Sequence, residues 1–557
     1  MISDKRNIQL IISIFKKKGI SDIIISPGSR NAPLILSFAN DSYFHCTNIV
    51  DERSAAFFAL GVAKRKQKPV AICCTSGSAG LNYAPAIVEA YYSKVPVIVL
   101  TADRPQEWID QYDNQTIRQE GIYSNFINKE ISLPDLNLQT ESDREWYYTR
   151  LIDEGVNASL FPVPGPVHFN IPLSEPLYNS VEKADDINFP LTEIKTTSSK
   201  CNNGIISELQ EKVQKYKKIV LLIGTLSRIE NINSLLTTVK NKNIVIISES
   251  LSNCINSHPN CPTDLLFKNL SDEQIDLLQP EFLISMGDMV VSKSLKLFLR
   301  KHPPQEHWRI DPHHNHIDTY QHLNKIIHTN PIDFIEALAE LPFIDDQYNN
   351  IWNTHQSKRG ENINELINQT PWSDLKAHSI INKAIPKNSI SHFGNSSIVR
   401  YGLLLNNSIE CYANRGTSGI DGSLSTAFGF ASASDQLNVL VIGDLSCLYD
   451  SNILWASKFP DNLRIIIINN GGGNIFRFIK GPESTHQLEN HFEAKHNLDI
   501  QKALPEINKY QKVSTEKELD KVLIPFFNTS SESKILEIDT KDSQNEYYWN
   551  LLYLLAR

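Results

Sequence analysis

Two loops carry residue types that could hold a hard cation together with a phosphate. Asp444 follows the apolar run NVLVIG (438–443), and Asn470, followed by a run of three glycines (471–473), ends the apolar run LRIIIINN (463–470), 26 residues further on. That spacing leaves room for one helix, so the two loops belong to a single strand–helix–strand step. A carboxylate, an amide oxygen and a backbone carbonyl of the glycine run can then converge on one ion. Few oxygen ligands beside a glycine-rich turn suit Mg²⁺ shared with a diphosphate. Taken singly, Asp444 reads better as a helix cap and the glycines as a turn. The pair at this spacing carries the metal reading.

Other motifs offer chemistry that fails on inspection. TSGSAG (75–80) suggests a nucleophile elbow, but GxSxG needs glycine at position 76, where this chain has Ser. Neither GxxGxxG (416–422) nor the triple glycine satisfies the dinucleotide fingerprint GxGxxG. His313, His314 and His316 in DPHHNHID lack a second ligand group at defined spacing and read as a solvated loop.

These loops need a scaffold. From the start to residue 178, short β-branched runs (DIIIS, TNIV, VAICCTS, VPVIVLTA) alternate with helical patterns, which predicts a parallel sheet with helices on both faces. Polar, turn-rich residues 179–204 read as a linker. A second α/β unit spans 205–345, a second linker 346–372, and a third α/β unit 373–557. Three doubly wound domains fit a 557-residue chain at roughly 150 residues per domain. In such sheets ligands bind at the carboxyl ends of the strands, beside helix N-termini. The loops to watch are therefore SPGSRNAP (26–33), DERSA (51–55), TSGSAG and 101–119 in the first unit, and 394–400, 414–427, 443–452 and 469–476 in the third.

Lys and Arg number 54 against 63 Asp and Glu, a net charge of -9, which argues against nucleic acid or an acidic membrane as principal partner. Nowhere do about 18 apolar residues run together. The N-terminus reads as an amphipathic helix capped by Ser3 or Asp4 rather than as a signal peptide. Eight cysteines without a CxxC pair read as reduced thiols, which predicts a cytoplasmic protein.

The pattern GDx, about 25 residues, then NN resembles the diphosphate and Mg²⁺ motif of thiamine diphosphate enzymes, with Leu445 where many members carry Gly. SPGSRNAPL, DERSAAFFALGVAK, TSGSAGLNYAPAIVEA, LTADRP, NQTIRQ, GPVHFNIP, NRGTSGIDGSLSTAFG and GDLSCLYDSN together resemble the 2-succinyl-5-enolpyruvyl-6-hydroxy-3-cyclohexene-1-carboxylate synthase family. The likeness covers both outer units and weakens through the middle one.

That resemblance implies thiamine diphosphate with Mg²⁺ or Mn²⁺ as cofactors. It also implies decarboxylation of 2-oxoglutarate and conjugate addition of the resulting succinyl-semialdehyde carbanion to isochorismate, in menaquinone biosynthesis. Glu52 matches the catalytic glutamate that bonds the cofactor's pyrimidine; the residues alone leave a cap or a surface pair with Arg53 equally open. Asp444, Asn470 and the carbonyl of Gly472 match the metal ligands, with Gly471 open as an alternative. Ser396, Ile420, Leu445, Ser446 and Phe476 match positions around the cofactor. Both substrates are dicarboxylates, which Arg holds with paired hydrogen bonds. Arg30, Arg104, Arg400 and Arg415 are the candidates, with Ser29, Asn114, Gln115 and Lys293 beside them. A homodimer or homotetramer with sites between subunits is implied, and residues 477–492 have the loop character of a cover. Two alternatives stay open: an acetolactate synthase-like enzyme using monoacids, and a catalytically silent binding subunit.

Overall fold

Largely apolar strands such as Val97–Asp103 and Leu463–Asn469 are buried along their whole length, because helices cover both faces of the sheets they build. The structure, a computed structural model, describes every residue except 134–140, 183–188, 196–199, 228, 255–260, 314–315, 344, 406–409, 457, 480, 506–508, 532 and 556–557.

Three parallel sheets result. In space the first runs His45–Asn48, Asp22–Ile25, Val70–Cys74, Val97–Asp103, Val167–Pro172, Lys129–Ser132. The third runs Glu410–Tyr412, Ile390–Phe393, Asn438–Gly443, Leu463–Asn469, Lys534–Asp539, Tyr510–Val513. Both therefore follow the order 2-1-3-4-6-5, counting strands along their own unit. The middle sheet has five strands, with Ile219–Ile223 between Val245–Ser248 and Phe282–Met286. In all three, the order in which successive strands are added reverses between the first and third strands, and that switch point opens a crevice at the carboxyl ends.

Two expectations change. The first helix, Arg6–Lys18, is preceded by Lys5 and has no side-chain cap. Ser3 is instead drawn into a two-stranded ladder in which Ile2–Ser3 pairs with Ser180–Val181, and its hydroxyl accepts from the Lys5 N–H. Residues 346–372, read as a linker, are mostly one helix, Gln347–Gln369. Its composition is polar, yet Tyr348, Trp352, Ile363, Leu366 and Ile367 form a narrow buried stripe.

The outer units pack against each other through helices Glu52–Lys66 and Ser423–Ser432, and glycine sets how close they come. A Cβ on Gly429 would lie 1.9 Å from the Phe58 carbonyl oxygen, and one on Gly61 2.0 Å from that of Thr426. All eight cysteines are free. Among the described residues no helix is long and apolar enough to cross a membrane.

Candidate functional site

In the third sheet, Ile390–Phe393 and Asn438–Gly443 flank the switch point, and helix Asp444–Tyr449 starts there. Asp444 is 2% exposed. Its Oδ1 accepts from Leu445 N at 2.7 Å, and its Oδ2 from Gly471 N at 2.8 Å and Gly472 N at 3.1 Å. The carboxylate is thus wrapped by the glycine turn, whose Gly471 (φ 79°) and Gly472 (φ 149°) take conformations open to glycine. A Cβ at Gly472 would lie 2.7 Å from the Glu493 carbonyl oxygen, so residues 493–496 lie directly on this turn.

Asn470 donates its Nδ2 to the buried Asp374 Oδ2 at 2.8 Å, which leaves its Oδ1 as the spare acceptor. Burial raises the Asp374 carboxyl to about 6, and nearby Asp444 adds to the rise. Ser396 takes φ 70° just before helix Ser397–Leu404. Ser446 donates to the Ile420 carbonyl, while the Ile420 side chain is left 42% exposed. Leu445 is half-buried, and Phe476 packs against Phe492 with ring centroids 5.8 Å apart.

A cationic group gathers at the seam with the middle unit. Arg415 donates Nη1 to Asn395 at 2.7 Å. Burial lowers its pKa, and the neighbouring charge of Arg400 lowers it further. Lys293 and Arg400 line one open cavity with Glu249, Asp264, Ser292 and Tyr553. Lys296 stands one turn along from Lys293 on helix Lys293–Lys301. Its pKa is lowered first by burial, with Arg415 and Arg400 adding to the shift against Glu249. Sequence reading missed Lys296, although its i+3 spacing from Lys293 was a signal.

The first sheet behaves differently. Arg30, 4% exposed, donates Nη1 to the Leu173 carbonyl at 2.8 Å and pairs with Glu175 at 3.2 Å. Arg104 donates Nε and Nη2 to the Asn114 carbonyl and pairs with Asp113, which pins the exposed Asn114–Gln115 rim. Ser29 is exposed. No hydrogen bond or ion pair among the described residues joins these arginines to the third-sheet cluster.

Glu52 opens its helix, but Asp51 caps it by accepting from Ser54 N, and Arg53 donates to the Tyr449 carbonyl at 2.6 Å. The cap and the Arg53 pair are both spoken for elsewhere. The half-buried Glu52 carboxylate is met by Asn82 Nδ2 at 3.2 Å, a partner the sequence reading did not single out. Buried Glu89 was also missed. It reaches from the first unit to the Gly416 and Thr417 amides at 2.9 and 2.7 Å and so holds the loop that carries Arg415 and Ile420.

Among the described residues no group of three His, Cys, Asp or Glu side chains could hold a metal, and His314 lies outside those residues. A cation held by one carboxylate plus amide and carbonyl oxygens is a different donor set. The third-sheet crevice fits it together with an anion: Asp444 is buried there beside the Asn470 amide, while Arg415 Nε and His496 Nε2 are buried without hydrogen-bond partners.

Comparison with known proteins agrees. The family profile for the N-terminal binding domain of thiamine pyrophosphate enzymes matches residues 6–122, and that for their middle domain residues 192–391. The chain is 39% identical over 553 residues to a protein of Flavobacterium psychrophilum, covering 98% of both chains. It is 36% identical over 539 residues to one of Bacteroides thetaiotaomicron, covering 94% of both. Over 560 residues it is 35% identical to one of Porphyromonas gingivalis, covering 98% of this chain and 96% of the other. All three are named 2-succinyl-5-enolpyruvyl-6-hydroxy-3-cyclohexene-1-carboxylate synthase.

Proposed function

The chain belongs to the 2-succinyl-5-enolpyruvyl-6-hydroxy-3-cyclohexene-1-carboxylate synthase family of thiamine pyrophosphate enzymes, and from that premise we propose how its residues divide the work. It is a thiamine diphosphate-dependent transferase of menaquinone biosynthesis. The substrates are 2-oxoglutarate and isochorismate, and the cation is Mg²⁺ or Mn²⁺. Bound thiamine diphosphate supplies the electron sink that 2-oxo acid decarboxylation requires and that no protein side chain provides.

The residues do the rest. Asp444, with the Asn470 amide oxygen and the carbonyl of Gly472 (or Gly471), holds the cation. The glycine turn brings backbone close to the diphosphate, and Ser396, Leu445, Ser446, Ile420 and Phe476 shape the pocket. Glu52 holds a proton at the pyrimidine ring nitrogen, with Asn82 fixing its carboxylate. Arg400, Arg415 and Lys293, on the seam, and Arg30 and Arg104, on the first sheet, bind the substrate carboxylates. Their charge also stabilises the charge that develops on the acceptor carboxylate during conjugate addition. Ser29, Asn114 and Gln115 complete the rim. Four arginines on the site-bearing loops favour dicarboxylates over the monoacids of an acetolactate synthase-like enzyme, and intact Glu52, Asp444 and Asn470 speak against a silent subunit.

The buried Asp444 carboxylate wrapped by the glycine turn at the switch point carries this reading. Leu81, Ile420, Tyr449 and Trp455, all on site-bearing loops or next to them, are 42–65% exposed. Apolar surface at that place supports a second copy of the chain that covers the site, as a dimer or a dimer of dimers. Free cysteines, most of them buried with thiol pKa values pushed up (Cys73 to about 12), support a cytoplasmic setting. Calorimetric titration with thiamine diphosphate tests the cofactor assignment. Binding should need Mg²⁺ in the wild type and be lost in Asp444→Ala; binding indifferent to both would overturn it.

A further inference from the structure

His496 meets Asp444 at the base of the crevice, and no role above uses it. Its side chain is 10% exposed. The backbone fixes its place: His496 N donates to the Gly471 carbonyl at 2.9 Å, and Glu493 O accepts from Gly473 N at 2.6 Å. The turn that presents the ring includes Ala494 at φ 49°, a left-handed conformation held by these contacts.

The tautomer follows from the second ring nitrogen. Leu498 N donates to Nδ1 at 3.2 Å, so the Nδ1 lone pair is in use and the neutral ring carries its proton on Nε2. That Nε2 lies 3.3 Å from Asp444 Oδ2, yet it is buried and makes no aligned hydrogen bond. Oδ2 already accepts two glycine amide protons. A buried donor left without an acceptor in a native crevice calls for one from outside the chain.

We propose that His496 is a binding residue of this site: its Nε2–H donates to a phosphate oxygen of the diphosphate that shares the cation with Asp444, and the ring does not ligate the cation. Ligation through Nε2 would move the proton to Nδ1 and set it against the Leu498 N–H, donor facing donor. A hard cation also prefers oxygen to imidazole nitrogen. The inference rests on the cofactor reading above.

Binding to the full-length protein tests it, with three probes: Mn²⁺ alone, Mg²⁺ with inorganic pyrophosphate, and Mg²⁺ with thiamine diphosphate. Asn in His496→Asn can still accept from Leu498 but cannot reach as far as Nε2. Gln in His496→Gln places an N–H donor near the Nε2 position. His496→Asn should weaken pyrophosphate and thiamine diphosphate about tenfold, and His496→Gln should restore most of that loss. Mn²⁺ affinity should be unchanged in both, its pulsed EPR spectrum should show no ¹⁴N coupling, and the ligand-free unfolding midpoint should match the wild type. A ¹⁴N coupling, or an equal loss of Mn²⁺ affinity, would make His496 a metal ligand and overturn the proposal. Unchanged pyrophosphate binding in His496→Asn would also overturn it, leaving His496 a packing residue. If wild-type protein binds no thiamine diphosphate at all, the cofactor reading fails first, and that outcome is distinct from both.

Discussion

The first and third sheets share one strand order and one switch point, yet their crevices are chemically unlike. In the first, a chain of buried side-chain hydrogen bonds runs behind the loops. Gly77 N donates to Gln119, Gln119 donates to Asn170, and Asn170 donates to Asp103, whose carboxyl burial raises to about 6. This buried chain makes a stiff base for the loops carrying Arg30, Arg104 and Asn114. In the third, the loops are rich in glycine, and backbone amides close on one buried carboxylate, beside which His496 Nε2 is buried without a hydrogen-bond partner. Topology supplies a crevice twice, and under the proposed assignment residue type decides that one would hold the cation while the other would present a carboxylate to the organic ring.

The division can be broken at several points. Asp444→Ala should abolish cation-dependent cofactor binding and lower turnover about ten-thousandfold or more, measured by calorimetry and steady-state assay. Glu52→Gln should keep cofactor binding while slowing turnover about a hundred- to a thousandfold. If the two variants lost binding alike, the two crevices would not be doing separate jobs. Arg400→Lys and Arg415→Lys keep the charge but lose the paired geometry, and should each lower kcat/KM for one dicarboxylate about 10–100-fold.

Two further variants probe a contact between the outer units and a buried carboxyl within the third. Glu89 accepts from the Gly416 and Thr417 amides and from the Ser93 and Thr417 hydroxyls. Glu89→Ala leaves these partly buried donors without their acceptor and should cost about 1 kcal/mol in denaturant unfolding, with a higher KM. Asp450, held by Ser425 N and Oγ, has its carboxyl raised to about 7 by burial. Its folded-state pKa exceeds the unfolded one, so its stabilising contribution is complete below about pH 4 and is lost as pH rises through 7. Asp450→Asn removes that loss. The Tm of wild type relative to the variant should therefore fall by a few degrees between pH 4 and 7; a constant difference would refute the assignment.

The fold was legible because buried parallel strands are continuous apolar runs. Edge strands such as Lys129–Ser132 and Tyr510–Val513, short and partly exposed, lack that pattern and went unread. Helix Gln347–Gln369 was hidden by a narrow apolar stripe in a polar composition, and the Ser3 cap was lost to a strand pairing some 180 residues away that no local signal marks. Asp444 and the glycine turn were visible as a spaced pair. His496, Glu89 and Asn82 were not, because each is placed by a contact distant in sequence; Asn82 and Glu89 stand within the matched segment 75–90, where nothing local marks them out.

The central claim is tested most directly by incubating purified protein with thiamine diphosphate, Mg²⁺ and 2-oxoglutarate and following isochorismate. The account predicts that isochorismate disappears only when all three are present. Isochorismate that persists while pyruvate is consumed instead would contradict it.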